Sequence, residues 1–216
     1  MKICTLIPAY NEEKTINKIV KTVSNIDRID RVIVVDDGST DNTAGEAGKA
    51  GAEVISLNEN RGKGAALMKG IAGIEADILL MLDGDLIGLT ADHVHKLLAP
   101  VLKNDVDMAV GIFDHGQGLT DLAQQVTPKL SGQRAIKLDI LKEIQDLDDT
   151  GFGVEISINN YVKNHGDIEY VELRNLSHVM KEEKMGLWKG LLARLKMYWE
   201  ILRTVVKRFT RNNGGS

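Results

Sequence analysis

The feature that most constrains the fold is an apolar run in residues 76–86 that stops abruptly at two carboxylates, in the order Ala-Asp-Ile-Leu-Leu-Met-Leu-Asp-Gly-Asp-Leu. The continuous apolar segment 78–82 is typical of a strand buried on both faces of a parallel sheet. In open α/β sheets ligands bind beyond the carboxyl ends of the strands. Asp83 and Asp85 are therefore predicted to hold a divalent cation together with substrate phosphates. The alternative is an acidic turn with Gly84 at positive φ.

Strands and helices alternate in the first part of the chain. Strands are predicted over residues 2–7, 31–35, 54–57 and 76–82. Helices are predicted over 11–23, after the polar segment 36–41 as far as about 50, and where the segment 60–67 leads into a third helix. This βαβαβαβ order predicts a parallel sheet with right-handed crossovers. After the two carboxylates we predict helices over 91–102, 138–144 and 151–164, strands over 106–112 and 168–173, a loop over 113–127, a polar-to-helical stretch from 131 and an acidic connector over 146–150.

The size and composition are those of a globular domain. A chain of 216 residues can bury one substantial core, and 43% hydrophobic with 27% charged residues is ordinary for a soluble protein. The single cysteine, Cys4, can form no internal disulfide, which favours a buried thiol in a reducing compartment. The first residues lack the pattern of a signal peptide, and no apolar run approaches about 18 residues. We therefore expect a cytoplasmic protein.

The charge divides the chain into an acidic body and a basic tail. Residues 1–183 carry a net charge of −11 and residues 184–211 a net charge of +7. Between Leu187 and Phe209, large apolar side chains recur at spacings of three and four, which predicts an amphipathic helix over 184–211. Such a helix can pack on the body, form a homo-oligomer or lie peripherally on the inner face of the membrane. Nucleic acid is disfavoured, because the body is acidic. Residues 212–216 are predicted to be disordered.

Four polar clusters follow predicted strands or open predicted helices. In chain order they are 8–13 (Pro-Ala-Tyr-Asn-Glu-Glu), 36–39 (Asp-Asp-Gly-Ser), 62–64 (Gly-Lys-Gly) and 83–85 (Asp-Gly-Asp). In a parallel sheet these loops emerge at one edge, where carboxylates and amides can contact uracil and ribose and a lysine can contact a diphosphate. Lys63 is not part of a P-loop, because the Gly-x-x-x-x-Gly-Lys-Ser/Thr spacing is absent, and this weakens an ATPase or GTPase interpretation.

Taken in this order, the clusters resemble the nucleotide-binding half of the family 2 glycosyltransferases over roughly residues 1–100. The resemblance implies the α/β GT-A (Rossmann-like) fold, a single domain with a mostly parallel central sheet flanked by helices. It also implies a metal-dependent hexosyltransferase that uses a UDP-sugar, with UDP-glucose favoured, and Mg²⁺ or Mn²⁺.

The same resemblance implies roles for individual residues. Asp37 is expected to contact uracil or ribose, Asp83 the ribose or sugar, and Asp85 the metal. Asp83 and Asp85 are also expected to be catalytic residues. Further contacts with the nucleotide-sugar are expected from Pro8, Ala9, Tyr10, Glu12, Gly38, Lys63, Gly84 and Arg134.

Two motifs in the second half look like the acceptor-side motifs of the glucosyl-3-phosphoglycerate synthases, a related GT-A group. They are residues 151–156 (Gly-Phe-Gly-Val-Glu-Ile) and 176–178 (Leu-Ser-His). The resemblance implies that His178 is a further metal ligand, that Glu155 faces the sugar or acceptor as a catalytic residue, and that 101–183 form the acceptor half. The alternatives are a surface histidine and a favourable first-turn charge.

The chemistry explains the residue types. Breaking the bond between the anomeric carbon and UDP builds negative charge on the diphosphate, which a metal and Lys63 could neutralise. An inverting enzyme also needs a general base near the acceptor hydroxyl. The family's acid pair followed by Gln-x-x-Arg-Trp is absent, although Asp148-Asp149 is a candidate acid pair and 131–134 a candidate phosphate-facing loop. Retention and inversion both stay open, as do polyprenyl phosphate, diacylglycerol, a small phosphorylated acid and a polysaccharide as acceptors.

Two other functions fit part of the pattern. A sugar nucleotidyltransferase also combines a Rossmann-like sheet with metal carboxylates, but it would normally carry a Gly-x-Gly-x-x-x-Arg-type loop where this chain has residues 8–11, Pro-Ala-Tyr-Asn. A non-catalytic, membrane-associated scaffold would keep the fold and use the tail helix. The presence of Asp83, Asp85 and Lys63 argues against that loss of activity.

Overall fold

The computed structural model describes residues 1–113, 131–144 and 154–178. The strands are β1 (Ile3–Ala9), β2 (Arg31–Asp36), β3 (Glu53–Ser56), β4 (Ile78–Met81), β5 (Leu86–Ile87), β6 (Met108–Phe113), β7 (Arg134–Lys137), β8 (Ile168–Leu173) and β9 (Ser177–His178). The helices are α1 (Ile16–Ser24), α2 (Thr43–Lys49), α3 (Lys63–Ile71), α4 (Ala91–Leu102), α5 (Leu138–Lys142) and α6 (Val154–His165).

Several predicted segments lie outside the described residues. They are most of the loop 113–127, the connector 146–150 with its acid pair, residues 151–153, the amphipathic helix 184–211 and the tail 212–216. The domain boundary at residue 183 therefore stays a prediction. Among the helices that the structure describes, none is both long and apolar enough to cross a membrane.

The first four strands form the predicted parallel sheet. β1 pairs in parallel with both β2 and β4, and β2 pairs in parallel with β3. Among the described residues, the sheet has seven strands in the order β3-β2-β1-β4-β7-β6-β8. The predicted start of the first helix at Asn11 is early, because Asn11 has a left-handed φ of 56° and α1 begins only at Ile16. This turn leaves the first polar cluster at the edge of the sheet.

Successive residues of the central strands face two separate cores. On β4, Ile78 and Leu80 pack in the core beneath α1 and α4, whereas Leu79 and Met81 pack in the core beneath α3, α5 and α6. This two-sided burial is why the apolar run shows no alternation. Cys4 belongs to the second core and is a free, buried cysteine, as predicted.

The stretch that begins at residue 131 was predicted to become helical, and this is wrong. Residues Arg134–Lys137 form β7, which lies antiparallel between β4 and β6. The strand is only four residues long and buries a charged residue, Arg134, so hydrophobic periodicity does not reveal it. The sheet is still mostly parallel, with β7 running against its neighbours.

A second small sheet follows the two carboxylates. β5 pairs antiparallel with β9, with Leu86 opposite His178 and Ile87 opposite Ser177. The predicted strand over residues 168–173 is confirmed as β8, and a further strand, β9, follows it, which was not predicted. Its two residues are too few to produce a recognisable pattern in the sequence. The ladder returns His178 to the turn that contains Asp85.

Candidate active site

The loops after β1 and β4 are packed against each other. The Thr15 hydroxyl donates a hydrogen bond to the Gly84 carbonyl oxygen at 2.6 Å. A Cβ at Gly84 would lie 3.2 Å from Ala9 Cβ and 3.2 Å from Glu12 Cγ, closer than ordinary van der Waals contact. A larger residue between the two carboxylates would therefore push the first and fourth polar clusters apart.

The loops after β1 and β2 are joined by hydrogen bonds from backbone to side chain. The Asn11 N–H donates to Ser39 Oγ at 2.9 Å, and the Thr40 N–H donates to Asn11 Oδ1 at 2.8 Å. The Glu12 N–H donates to Thr43 Oγ1 at 2.7 Å. These bonds satisfy backbone groups in a segment that is neither strand nor helix, and so hold the first cluster in a defined shape.

Asp37 connects the second cluster to the third. Its carboxylate accepts hydrogen bonds from the backbone N–H groups of Arg61 and Gly62, both at 2.8 Å. Gly38 has a φ of +69°, and a Cβ there would collide with the backbone of Glu59. Asp37 thus anchors the loop that leads into α3 and Lys63. The contact of Asp37 with uracil or ribose stays a prediction.

Lys63 opens α3 and lies between two carboxylates. Its Nζ atom is 2.5 Å from Asp83 Oδ1 and 2.5 Å from Glu155 Oε1. Burial acts to lower the pKa of Lys63, but the two carboxylates outweigh it and raise this pKa above its usual value. Burial likewise acts to raise the pKa of Asp83, and the Lys63 ammonium holds it below its usual range. The three groups therefore form a charged triad.

The second oxygen of Asp83 is held from the loop that precedes β7. The buried amide of Gln133 donates from Nε2 to Asp83 Oδ2 at 2.9 Å, and the Ser131 hydroxyl donates to Gln133 Oε1 at 3.0 Å. A side chain at Gly132 would collide with the Asp83 carboxylate. The loop 131–134 therefore fixes the rotamer of Asp83, a role that its sequence alone did not suggest.

Asp83, Asp85 and His178 form a group whose ligand atoms all lie within 4.8 Å of one another. His178 Nδ1 is 2.9 Å from Asp85 Oδ1, and the Phe113 ring meets the imidazole edge-to-face with centroids 4.6 Å apart. Burial acts to lower the pKa of His178, but its hydrogen bond to Asp85 raises it. Two carboxylates and one imidazole suit Mg²⁺ or Mn²⁺, so the residues present fit such an ion. The group includes Asp83, for which the family resemblance implied a contact with the ribose or sugar.

Arg134 is not brought to the surface of this cleft. Its side chain is fully buried, and its guanidinium donates to the Ser131 carbonyl oxygen, to Asn159 Oδ1 at 3.0 Å and to the Glu155 carbonyl oxygen at 3.5 Å. Burial lowers the pKa of Arg134. This position does not support the predicted contact with the nucleotide-sugar. Arg134 instead ties β7 to the first turn of α6, which carries Glu155.

The other residues for which a contact with the nucleotide-sugar was predicted lie at or just after the end of β1. Pro8 and Ala9 close the strand, Tyr10 is exposed immediately after it, and Glu12 is half-buried beside Gly84. Sequence reasoning missed Thr15 and the contact between Gln133 and Asp83. Thr15 bonds the Gly84 carbonyl oxygen and Gln133 bonds the Asp83 carboxylate across long separations in sequence, so no local motif marks them.

The chain is similar to known proteins over much of its length. The model of the glycosyl transferase family 2 matches residues 4–162. Protein RfbJ from Shigella flexneri is 37% identical over 109 residues, which cover 50% of this chain and 83% of that protein. The glucosyl-3-phosphoglycerate synthase of Mycolicibacterium smegmatis is 37% identical over 121 residues, which cover 51% of this chain and 40% of that enzyme.

Most of the chain is similar in fold to solved structures. A glucosyl-3-phosphoglycerate synthase from Mycobacterium tuberculosis, in complex with Mn²⁺, UDP and glucosyl-3-phosphoglycerate, is 27% identical with a TM-score of 0.79, covering 96% of this chain and 79% of that one. The complex of that synthase with Mg²⁺ and UDP is 26% identical with a TM-score of 0.71, covering 89% and 79%. Among the curated synthases, the match spans 40% of the Mycolicibacterium smegmatis enzyme and 59% of the Mycobacterium tuberculosis enzyme.

Proposed function

The chain belongs to the glycosyl transferase family 2, and from this premise we propose that it transfers glucose from UDP-glucose in a reaction that needs Mg²⁺ or Mn²⁺. The observation that carries the proposal is the group of Asp83, Asp85 and His178, with the Lys63 ammonium 2.5 Å from Asp83. The M. tuberculosis synthase has been solved with Mn²⁺ and UDP-glucose, which supports both the metal and the donor.

Asp85 and His178 would hold the ion, with Asp83 beside them. When bound, the ion supplies positive charge that stabilises the diphosphate as it leaves. Lys63 contributes a second, fixed positive charge at the same end of the site. Because this ammonium is held by Asp83 and Glu155 in a partly buried position, it needs little reorganisation as negative charge develops, which is the basis of electrostatic catalysis.

Glu155 is proposed to face the sugar or the acceptor. Its carboxylate shares Lys63 with Asp83, and Glu155 as a whole is 5% exposed. This supports a position beside the proposed diphosphate end of the site. The link from Arg134 to the Glu155 carbonyl oxygen fixes the start of α6. A carboxylate held in this way by Lys63 is suited to orienting hydroxyl groups of the sugar or the acceptor. Retention and inversion are both compatible with it.

For the acceptor we propose a small phosphorylated acid of the phosphoglycerate type. The M. tuberculosis synthase has been solved with phosphoglyceric acid, and its fold matches 82% of this chain with a TM-score of 0.71. A lipid-linked acceptor is the competing proposal, supported by the amphipathic pattern in residues 184–211. The membrane surface, the homo-oligomer and the cytoplasmic location stay predictions.

A two-step screen tests this function. UDP-sugars are first compared for slow hydrolysis with Mn²⁺ and with excess chelator, and we expect UDP-glucose to be cleaved only with Mn²⁺. The best donor is then offered with 3-phosphoglycerate or with polyprenyl phosphate, and we expect glucose to be transferred to the first. Transfer to the lipid would replace the proposed acceptor. Absence of hydrolysis and transfer with every UDP-sugar would favour the scaffold, and release of pyrophosphate from UTP and a sugar phosphate would indicate a nucleotidyltransferase.

A further inference from the structure

His93 is a buried titratable residue that lies outside the group of metal-ligating side chains. It is in the first turn of α4 and is 5% exposed. The Thr90 N–H donates to its Nδ1 at 3.3 Å, and its Nε2 lies 2.9 Å from the Arg174 carbonyl oxygen. A neutral ring with its proton on Nε2 satisfies both contacts, because Nδ1 then accepts and Nε2 donates. Both ring nitrogens are therefore in use.

The bond to Arg174 reaches the segment that carries His178. Arg174 follows β8 and precedes Asn175, whose left-handed φ of 62° turns the chain toward β9. Gly88 packs against this turn: it has a φ of +83°, and a Cβ there would lie 2.6 Å from the Asn175 carbonyl oxygen. Gly88 itself follows β5, which begins immediately after Asp85. We call residues 85–88, which include Asp85, and residues 174–178, which include His178, the two arms. They meet at a junction formed by Gly88, His93, Arg174 and Asn175.

This junction matters because the ladder between the two arms is short. Up to His178, the last described residue of this segment, β5 and β9 form two residue pairs, Leu86 with His178 and Ile87 with Ser177. Two short strands are marginally stable without further packing. Leu86 and Leu176 are buried and supply some of that packing. The hydrogen bond from His93 Nε2 adds a directional constraint at Arg174, where the arm that carries His178 begins.

We propose that His93 is a positioning residue, whose Nε2–H bond to the Arg174 carbonyl oxygen sets the distance between His178 and Asp85 and so tunes the affinity for the divalent ion. The inference rests on the proposed function, since it concerns the ion of that site. His93 does not touch the ion. Its effect is transmitted through the turn at Asn175 and the ladder between β5 and β9.

Two substitutions isolate the contact made by Nε2. His93→Asn keeps an acceptor near the position of Nδ1, and so keeps the cap at Thr90, but it cannot reach Arg174. His93→Gln is long enough to place an amide N–H near the position of Nε2, and so keeps the bond to Arg174, while its amide oxygen suits the capping box with Thr90. Binding of Mn²⁺ is measured by the electron paramagnetic resonance signal of the free ion, and stability by thermal melting without metal.

The proposal predicts that the two variants differ in Mn²⁺ affinity and not in stability. His93→Asn should weaken Mn²⁺ binding by about threefold to tenfold, the value of one hydrogen bond, with a melting temperature near that of the wild type. His93→Gln should bind Mn²⁺ like the wild type and melt at a similar temperature. A merely structural role predicts instead that affinity and stability fall together in both variants.

Each other outcome counts against a defined claim. Wild-type Mn²⁺ affinity in His93→Asn, or an equal loss in His93→Gln, overturns the role of His93 alone. Absence of Mn²⁺ binding by the wild-type protein overturns the proposed function and this inference together. Should His93→Asn not fold, Gly88→Ala presses on the same turn from the other arm and must weaken Mn²⁺ binding, and unchanged binding by that folded variant overturns the inference.

Discussion

The Lys63 ammonium lies 2.5 Å from an oxygen of Asp83 and 2.5 Å from an oxygen of Glu155, with 20% of its side chain exposed. Two carboxylates at this separation would repel each other without a cation between them. The single ammonium thus makes it possible for α3, the end of β4 and the start of α6 to meet. The same charge is the one proposed to face the diphosphate.

Removing this charge should lower stability as well as activity. Lys63→Ala leaves two partly buried carboxylates side by side, and we expect the free energy of unfolding to fall by about 3 kcal/mol, measured by urea denaturation at pH 7. Lys49→Ala is the matched control, because it removes an exposed lysine that pairs with Glu46 at the surface. That variant should unfold like the wild type. An equal effect of the two substitutions would contradict the central place of Lys63.

At this scale the sequence predicted the residue types better than their contacts. Asp83, Asp85 and Lys63 were expected at the site because their clusters lie at one edge of the predicted sheet. His178 was expected there because of the resemblance to the glucosyl-3-phosphoglycerate synthases. The structure brings these four residues together. The bond between Lys63 and Glu155 was not predictable. It depends on where α6 begins, and this depends on the buried contacts of Arg134 rather than on any pattern near either partner.

At the scale of elements, β7 is the strand that joins the two halves of the sheet. It pairs with β4 on one side and with β6 on the other, and its backbone continues from the loop that holds Asp83. At its far end, Lys137 donates from Nζ to Asp107 Oδ1 at 2.7 Å. Asp107 also accepts from the Asp167 N–H at 3.0 Å. This carboxylate therefore ties together the ends of β6, β7 and β8.

The contribution of Asp107 should depend on pH. The hydrogen bond from Lys137 lowers the pKa of Asp107 in the folded protein. Its stabilisation is therefore complete above the unfolded pKa of about 3.9 and is lost as the pH falls through the lower folded pKa. We expect Asp107→Asn to reduce the free energy of unfolding by about 1 kcal/mol at pH 7 and to have little effect near pH 2, measured by urea denaturation at each pH. The same loss at both pH values would show that the charge of Asp107 is not the cause.

The sequence predicted the parallel elements because they are repeated and periodic. The strands β1 to β4 alternate with helices whose apolar residues recur at helical spacing, such as Ile16, Ile19, Val20 and Val23 on α1. The strands β7 and β9 were not predicted, and the reason is physical. They have four and two residues, and they are held by pairing with distant strands rather than by their own hydrophobic pattern.

At the scale of the whole molecule, the sheet separates two cores that both rely on β1. Ile3 and Ile7 face the core beneath α1 and α4, and Cys4 and Leu6 face the core beneath α3, α5 and α6. Burial raises the pKa of the Cys4 thiol to about 11. The thiol therefore reports on whether the second core is closed.

Cys4 should be unreactive in the folded protein. At pH 8 a thiol with this pKa is about one part in a thousand thiolate, and only the thiolate reacts with a disulfide reagent. We expect no labelling by 5,5′-dithiobis(2-nitrobenzoate) over minutes in the native protein and complete labelling in 6 M guanidinium chloride. Rapid labelling of native protein, under conditions where circular dichroism shows a folded chain, would contradict the buried position of β1.

The most direct test of the central claim is calorimetric titration of UDP into the protein with Mn²⁺ and with excess chelator. If Asp85 and His178 hold an ion that bridges to the diphosphate, UDP should bind with Mn²⁺ and at least about tenfold more weakly with chelator. Asp85→Ala should bind UDP equally weakly under both conditions, while Asp92→Ala, which changes an exposed acid paired with Lys96, should behave like the wild type. Equal affinity of the wild-type protein for UDP in Mn²⁺ and in chelator would contradict the metal-dependent site.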